Sequence, residues 1–102
     1  MLFNMALVYI KNTDMKNRDR IEIFSRILQA ANGRNGGAGA TRTRIMYGAF
    51  LTHTQLKQYL PILADNGMIQ YDSSSQTFKI TEKGHRFLNS YSEMNQMIKV
   101  AQ

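Results

Sequence analysis

The chain has 102 residues, enough for one compact domain and too few for a second full core. Hydrophobic residues make up 43% and charged residues 20%, a balance that supports a packed core and argues against wholesale disorder, while the lack of cysteine excludes disulfides, thiolate nucleophiles and cysteine-ligated metal sites and suits a reducing cytoplasm. Thirteen Lys+Arg against seven Asp+Glu leave a net charge of +6, which points toward a polyanionic partner.

The excess is local. Charges cancel from Met1 to Met15 and again from Gln58 to Gln102, so the surplus falls between Lys16 and Lys57. There Lys16, Arg18, Arg20, Arg26, Arg34, Arg42, Arg44 and Lys57 face only Asp19 and Glu22.

Residues 1–15 open with "MLFNMALVYI", an apolar run too short to span a bilayer, which needs ~20 residues. No basic segment precedes it and no small-residue cleavage site follows, so neither a membrane span nor a signal peptide is expected. It reads either as an added strand packed on the domain or as a loose or misassigned tail. A folded domain is expected over residues 16–80 and a terminal helix over 81–102.

Ile21, Phe24, Ile27, Leu28 and Ala31 recur at helical spacing, with Asn17 as the N-cap and Gly33 as the C′ residue of a first helix. "NGRNGGAGA", Asn32 to Ala40, holds four of the seven glycines and reads as a mobile loop. No Gly-Lys-Ser/Thr follows it and no apolar strand leads into it, so it lacks the surroundings of a phosphate cradle.

Thr41 can cap a short second helix from Arg42 to Tyr47 that Gly48 ends. After Ala49 and Phe50, Thr52 with Gln55 forms a capping box, and Leu51 with Leu56 occupies the N′ and N4 positions of a hydrophobic staple. This third helix is expected to run to Asn66 and stop at Gly67, with a kink at Pro61 beyond its N-terminal half. Two short helices joined by a tight turn outline a helix-turn-helix. "MIQYD" and "TFKI" then alternate around the polar tip "SSSQ", a hairpin, and Thr81 opens a last helix. The fold expected is mainly α (α+β): a winged helix-turn-helix with a two-stranded wing and a long C-terminal dimerisation helix.

On the third helix Leu56, Tyr59, Leu60 and Leu63 share one face, and Thr54, Lys57, Gln58 and Pro61 lie on the other. Short polar ends there suit base edges, and a lysine suits phosphate or guanine. An ordinary solvated helix surface would carry the same residue types. The helix-turn-helix outline, the caps and the local charge together favour nucleic-acid contact, with Arg42 and Arg44 on the helix that crosses the phosphate backbone.

Gln55 ranks below its neighbours, being engaged by the capping box, and His53 is a phosphate contact, or else a partly buried or bystander residue. Ser73 to Gln76 make the hairpin tip either a DNA contact or a mere turn, with Lys79 the better candidate for phosphate.

Phe87, Tyr91, Met94, Ile98 and Ala101 are spaced as the a/d seam of two heptads. The seam near Phe87 is expected to pack on the chain's own core. A helix of ~21 residues is ~30 Å long, too long for so small a core to cover, so its distal part is expected to pair with a second copy. The chain's two histidines stand far apart in sequence, and its acids form neither a metal-ligand cluster nor a paired-carboxylate motif, so no enzyme activity, metal or cofactor is expected.

"TRTRIMYGAFLTHTQLKQYLPILADNGMI" followed by "FKITEKGHRFLNSY" resembles the archaeal winged-helix family of predicted transcriptional regulators, whose relatives include small dimeric DNA-binding proteins with an antiparallel C-terminal coiled coil. The likeness spans about Lys16 to Ile98, and "TRIMY", "QLKQYL" and "ITEKGHRFL" carry it. It implies a winged-helix fold, double-stranded DNA as partner and pairing through the last helix. It also places Arg44, Gln55, Lys57 and Gln58 on DNA-facing elements. The N-terminal extension, the glycine-rich loop and Pro61 depart from the family pattern.

The function expected is a dimeric, cytoplasmic, nucleoid-associated double-stranded-DNA-binding regulator. Two alternatives stand beside it: a winged-helix protein-interaction module, and a nucleoid protein that binds without sequence preference.

Overall fold

The computed structural model describes residues 20–33 and 39–98. The N-terminal extension, the Asn17 cap, the centre of the glycine-rich loop and Ala101 of the seam lie outside the described residues. Among the described residues four helices and one hairpin follow in order: α1 (residues 20–32), α2 (Arg42–Gly48), α3 (His53–Asp65), β1 (Ile69–Asp72), β2 (Thr77–Ile80) and α4 (Glu82–Ile98). The chain is mostly helical with a two-stranded antiparallel wing, the architecture of a winged helix.

The core is one cluster to which every element but α4 contributes buried side chains. Ile27, Leu28 and Ala31 come from α1, Ile45 from α2, Leu56, Leu60 and Leu63 from α3, Ile69 from β1 and Phe78 from β2. Each large aliphatic group so buried stabilises the fold by about 1.5–3 kcal/mol. Phe24 on α1 meets Tyr59 on α3 edge to face at 5.9 Å, which leaves Tyr59 half-buried.

The helix termini are set by local chemistry. Thr41 stands in extended backbone and its hydroxyl accepts the Arg44 N–H at 3.2 Å, starting α2. Thr52 starts α3 with a complete capping box: its hydroxyl accepts the Gln55 N–H at 3.1 Å, and its own N–H donates to Gln55 Oε1 at 2.9 Å.

Both α2 and α3 stop in the same double hydrogen bond. At the end of α3 the Gly67 N–H donates to the Ala64 carbonyl and the Met68 N–H to the Leu63 carbonyl, with Gly67 left-handed at φ 73°. At the end of α2 the Phe50 N–H donates to the Tyr47 carbonyl and the Leu51 N–H to the Met46 carbonyl, with Phe50 left-handed at φ 58°.

Gly48 is the last helical residue of α2, as expected, and the left-handed position two residues later is filled by a phenylalanine at a cost of about 1–2 kcal/mol. Gly48 also serves packing, since a Cβ there would lie 3.0 Å from the Ala30 Cβ and press α2 off α1.

In the wing Ile69 pairs with Ile80, Gln70 with Lys79, Tyr71 with Phe78 and Asp72 with Thr77. Ala40 adds a bridge outside this hairpin, exchanging both backbone hydrogen bonds with Phe78 at 3.0 and 2.8 Å. The end of the glycine-rich stretch is thus a buried edge contact of the sheet rather than free loop.

Thr81 ties α4 to the α3–β1 turn. Its N–H donates to the Met68 carbonyl at 3.0 Å and its hydroxyl to the Gly67 carbonyl at 2.6 Å, while its oxygen accepts the Gly84 N–H at 3.1 Å as the cap of α4. Beyond that joint, Phe87 and Leu88 pack partly buried against the core, as expected for the start of the seam.

Candidate nucleic-acid interface

α3 is amphipathic, and its two faces separate cleanly. Leu56, Leu60 and Leu63 hold it to the core, and Thr54, Gln55, Lys57 and Gln58 are all exposed. Thr54 and Gln58 lie one turn apart, with Lys57 beside them. The helix continues past Pro61 to Asp65, so all four polar residues stand on regular helix. Pro61 has no N–H, so the Lys57 carbonyl lacks its usual i+4 donor at the point where the polar face gives way to Pro61 and Ala64.

Gln55 is partly spent: its Oε1 accepts from the Thr52 backbone, while its amide nitrogen makes no intramolecular bond among the described residues. His53 is exposed at the first helical position, which removes the partly buried reading.

Arg42 and Arg44 are exposed on α2. The Arg42 guanidinium lies 5.8 Å from the centre of the Phe78 ring, a cation–π contact that steadies it against the wing. Phe78 in turn stacks tilted on Tyr71 at 4.8 Å. Arg42 and Lys57 come together at a shallow groove of about 130 Å³, floored by Leu60, Pro61, Ala64 and Phe78. From Thr41 to Ala64 the sequence has no Asp or Glu, so nothing on these two helices offsets the three cations until Asp65.

The wing carries less free charge than its sequence suggests. Lys79 reaches Asp72 at 3.5 Å, a diagonal pair across the two strands. The Asp72 carboxylate accepts the Ser74 hydroxyl at 2.6 Å and the Ser74 N–H at 3.1 Å, and these bonds, with Lys79 adding to them, hold its pKa at about 2, below its ordinary 3.8. Ser75 shares a hydrogen bond of 2.7 Å with Thr77. The Ser74 and Ser75 hydroxyls are thus engaged within the turn, which favours the reading of the tip as a turn.

On α4, Tyr91 is half-buried, Met94 is 49% exposed and Met97 is 82% exposed. Tyr91 opens on a cleft of about 270 Å³ between α1 and α4, shared with Gln29, Leu88 and Asn95. Among the described residues no three of His, Cys, Asp and Glu gather as a metal site would require, and no helix is long and apolar enough to cross a membrane.

The family model for the winged helix-turn-helix matches residues 17–99. The chain belongs to the winged helix-turn-helix family. Solved structures similar to this winged helix include that of Sso10a-2, a DNA-binding protein from Sulfolobus solfataricus, at 23% identity and a TM-score of 0.65 over 78% of this chain and 80% of that one. At that identity the likeness concerns the fold. No functionally curated protein matches the chain.

Sequence reasoning about this winged helix overlooked three features of the face. The Arg42–Phe78 contact depends on a strand partner some 36 positions away (78 − 42) and has no local signal. The Lys79–Asp72 pair was recoverable from the hairpin register. Phe50 was passed over as turn, although "YGAFL" sets its glycine two residues ahead of the left-handed position.

Proposed function

We propose that this protein binds double-stranded DNA as a homodimer and acts as a transcriptional regulator, with α3 entering the major groove. The observation that carries the reading is the α3 face itself. Thr54, Lys57 and Gln58 project from a capped helix fixed by three buried leucines, beside Arg42 and Arg44 and without a carboxylate before Asp65.

Such a face supplies what groove reading needs: donors and acceptors for base edges on a rigid helix, and cations for the flanking phosphates. Membership in the winged helix-turn-helix family and the fold shared with a DNA-binding protein support it. The wing contributes less, because Lys79 shares its charge with Asp72. Arg44 and Lys57 are the main phosphate contacts, Arg42 packs on the wing as it reaches outward, and Gln55 contributes through its amide nitrogen alone.

Pairing through α4 accounts for Met94 and Met97. These apolar side chains stand on the seam helix beyond the point where the core ends, and a second copy lying antiparallel would bury them. Two copies present two α3 helices, which binds paired half-sites about one helical turn, ~34 Å, or a multiple apart. An archaeal, cytoplasmic and nucleoid-associated setting is part of the same proposal, and the likeness to a DNA-binding protein of Sulfolobus solfataricus supports it.

The test is a fluorescence-anisotropy titration of short duplexes at several salt concentrations. Affinity is expected to fall linearly in log–log form, and Lys57→Ala or Arg44→Ala should each flatten the slope by about one contact, ~0.9. Unchanged slopes in both variants contradict the assigned face. Equal affinity for random and selected duplexes would favour packaging over regulation.

A further inference from the structure

We infer that Phe50, at the elbow between α2 and α3, is an apolar anchor that the protein presents to DNA beside the N-terminus of α3. The inference rests on the DNA-binding reading above and adds a contact which that reading does not contain.

Single exposed hydrophobic side chains are common and need no explanation. Phe50 differs because its backbone is unfavourable as well. The double hydrogen bond that ends α2 requires a left-handed residue at position 50, as the matching bond at the end of α3 requires one at position 67. Position 67 has glycine; position 50 has a phenylalanine, a residue for which φ 58° is strained. The usual compensation would be burial of the ring, yet Phe50 is 84% exposed. Neither packing nor backbone preference within the described chain accounts for the residue, and an outlier of that kind marks a functional contact.

The occupant follows from charge and position. Phe50 stands two residues before Thr52, the cap of α3, and six after Arg44. Tyr47, 71% exposed, sits three residues before it. No carboxylate occurs anywhere between Thr41 and Ala64. A protein partner recognised by two exposed rings in this setting would have to be strongly acidic, whereas a duplex offers the negative charge together with apolar edges. Those edges are the thymine methyl groups of the major groove and the deoxyribose rings of the backbone, and a phenylalanine contacts either without a hydrogen bond. The left-handed backbone turns the chain sharply at the elbow and holds the ring clear of the core.

Phe50→Gly in the full chain tests this with two readouts of opposite sign. Glycine relieves the backbone, so the thermal midpoint should rise; removal of the ring should weaken binding to a thymine-containing selected duplex by about fivefold or more. The salt slope should not change, because no charge is lost. Phe50→Asn, which also tolerates the left-handed region, should show the same loss and so exclude loop flexibility as its cause.

Repeating the titration with uracil in place of thymine separates the two sources. A deficit that disappears on the uracil duplex assigns the contact to the methyl groups, and an equal deficit on both assigns it to the sugars. A raised midpoint with unchanged affinity overturns the inference and leaves the DNA-binding reading intact. A change in sedimentation of the free variant also overturns it, by assigning the ring to contact between copies. If the unmodified chain fails to bind duplex at low salt, both fall.

Discussion

An alanine at a helical glycine ordinarily stabilises a protein by about 1 kcal/mol, because glycine loses the most backbone freedom on folding. Gly84→Ala should do the opposite here. A Cβ at position 84 would be driven into the Met68 carbonyl oxygen and would stand 2.6 Å from Ile80 Cγ1. The isoleucine can swing aside. The carbonyl cannot do so cheaply, because it accepts the Thr81 N–H at 3.0 Å and belongs to the turn that closes α3.

The strain would therefore move α4 outward and stretch the bond from the Gly84 N–H to Thr81 Oγ1, now 3.1 Å. Overpacking of this kind costs about 1–3 kcal/mol. Set against the gain of about 1 kcal/mol in helix propensity, a net loss of up to about 2 kcal/mol is expected. For a chain of this size that lowers Tm by up to roughly 10 °C. Thermal and urea unfolding at one fixed protein concentration would measure it, with the urea midpoint falling and the m-value unchanged. A Tm above that of the parent would refute the close approach of α4 to the wing base.

Thr52→Ala removes one half of the α3 capping box and should cost about 1 kcal/mol in urea unfolding, while Thr52→Ser should retain most of the stability. Leu56→Ala truncates a fully buried side chain in the first turn of α3 and should cost about 2–5 kcal/mol, detected as a collapse of the unfolding midpoint. Asp72 has a depressed folded pKa, so its contribution to the wing tip is fully present above its ordinary value of 3.8 and is lost as the pH falls toward about 2. Carboxyl-carbon NMR should place the Asp72 midpoint near 2, and Ser74→Ala should raise it.

The elements legible in the sequence were those whose determinants are local. The Thr52/Gln55 capping box, the Thr41 cap, the glycine end of α3 and the leucine stripe at Leu56, Leu60 and Leu63 all act within a few residues of one another, and each stands in the structure as expected. The wing strands followed from alternation around a polar tip.

What escaped was set by contacts distant in sequence. Ala40 looked like the last residue of a loop because its sheet partner, Phe78, lies beyond two helices and a strand. Gly48 ends α2 as read, but the approach of Ala30 of α1 that its small size admits had no local signal. Gly84 showed no signal at all, since only the packed structure brings Met68 and Ile80 against it. For the interface, the split of α3 into buried and exposed faces was readable from spacing. The partial neutralisation of Lys79 follows only once the strand register is worked out, and the strained, exposed Phe50 only once the backbone angle is known.

The central claim is that the exposed side of α3 meets duplex DNA. An amide NMR titration of the isotope-labelled protein with a selected duplex tests it most directly. The largest shifts should fall on Thr54, Lys57 and Gln58 and on Arg44 of α2, with the outer turns of α4 around Met94 and Met97 unaffected by DNA. Shifts centred on α4, or none at duplex concentrations that saturate binding, would contradict it.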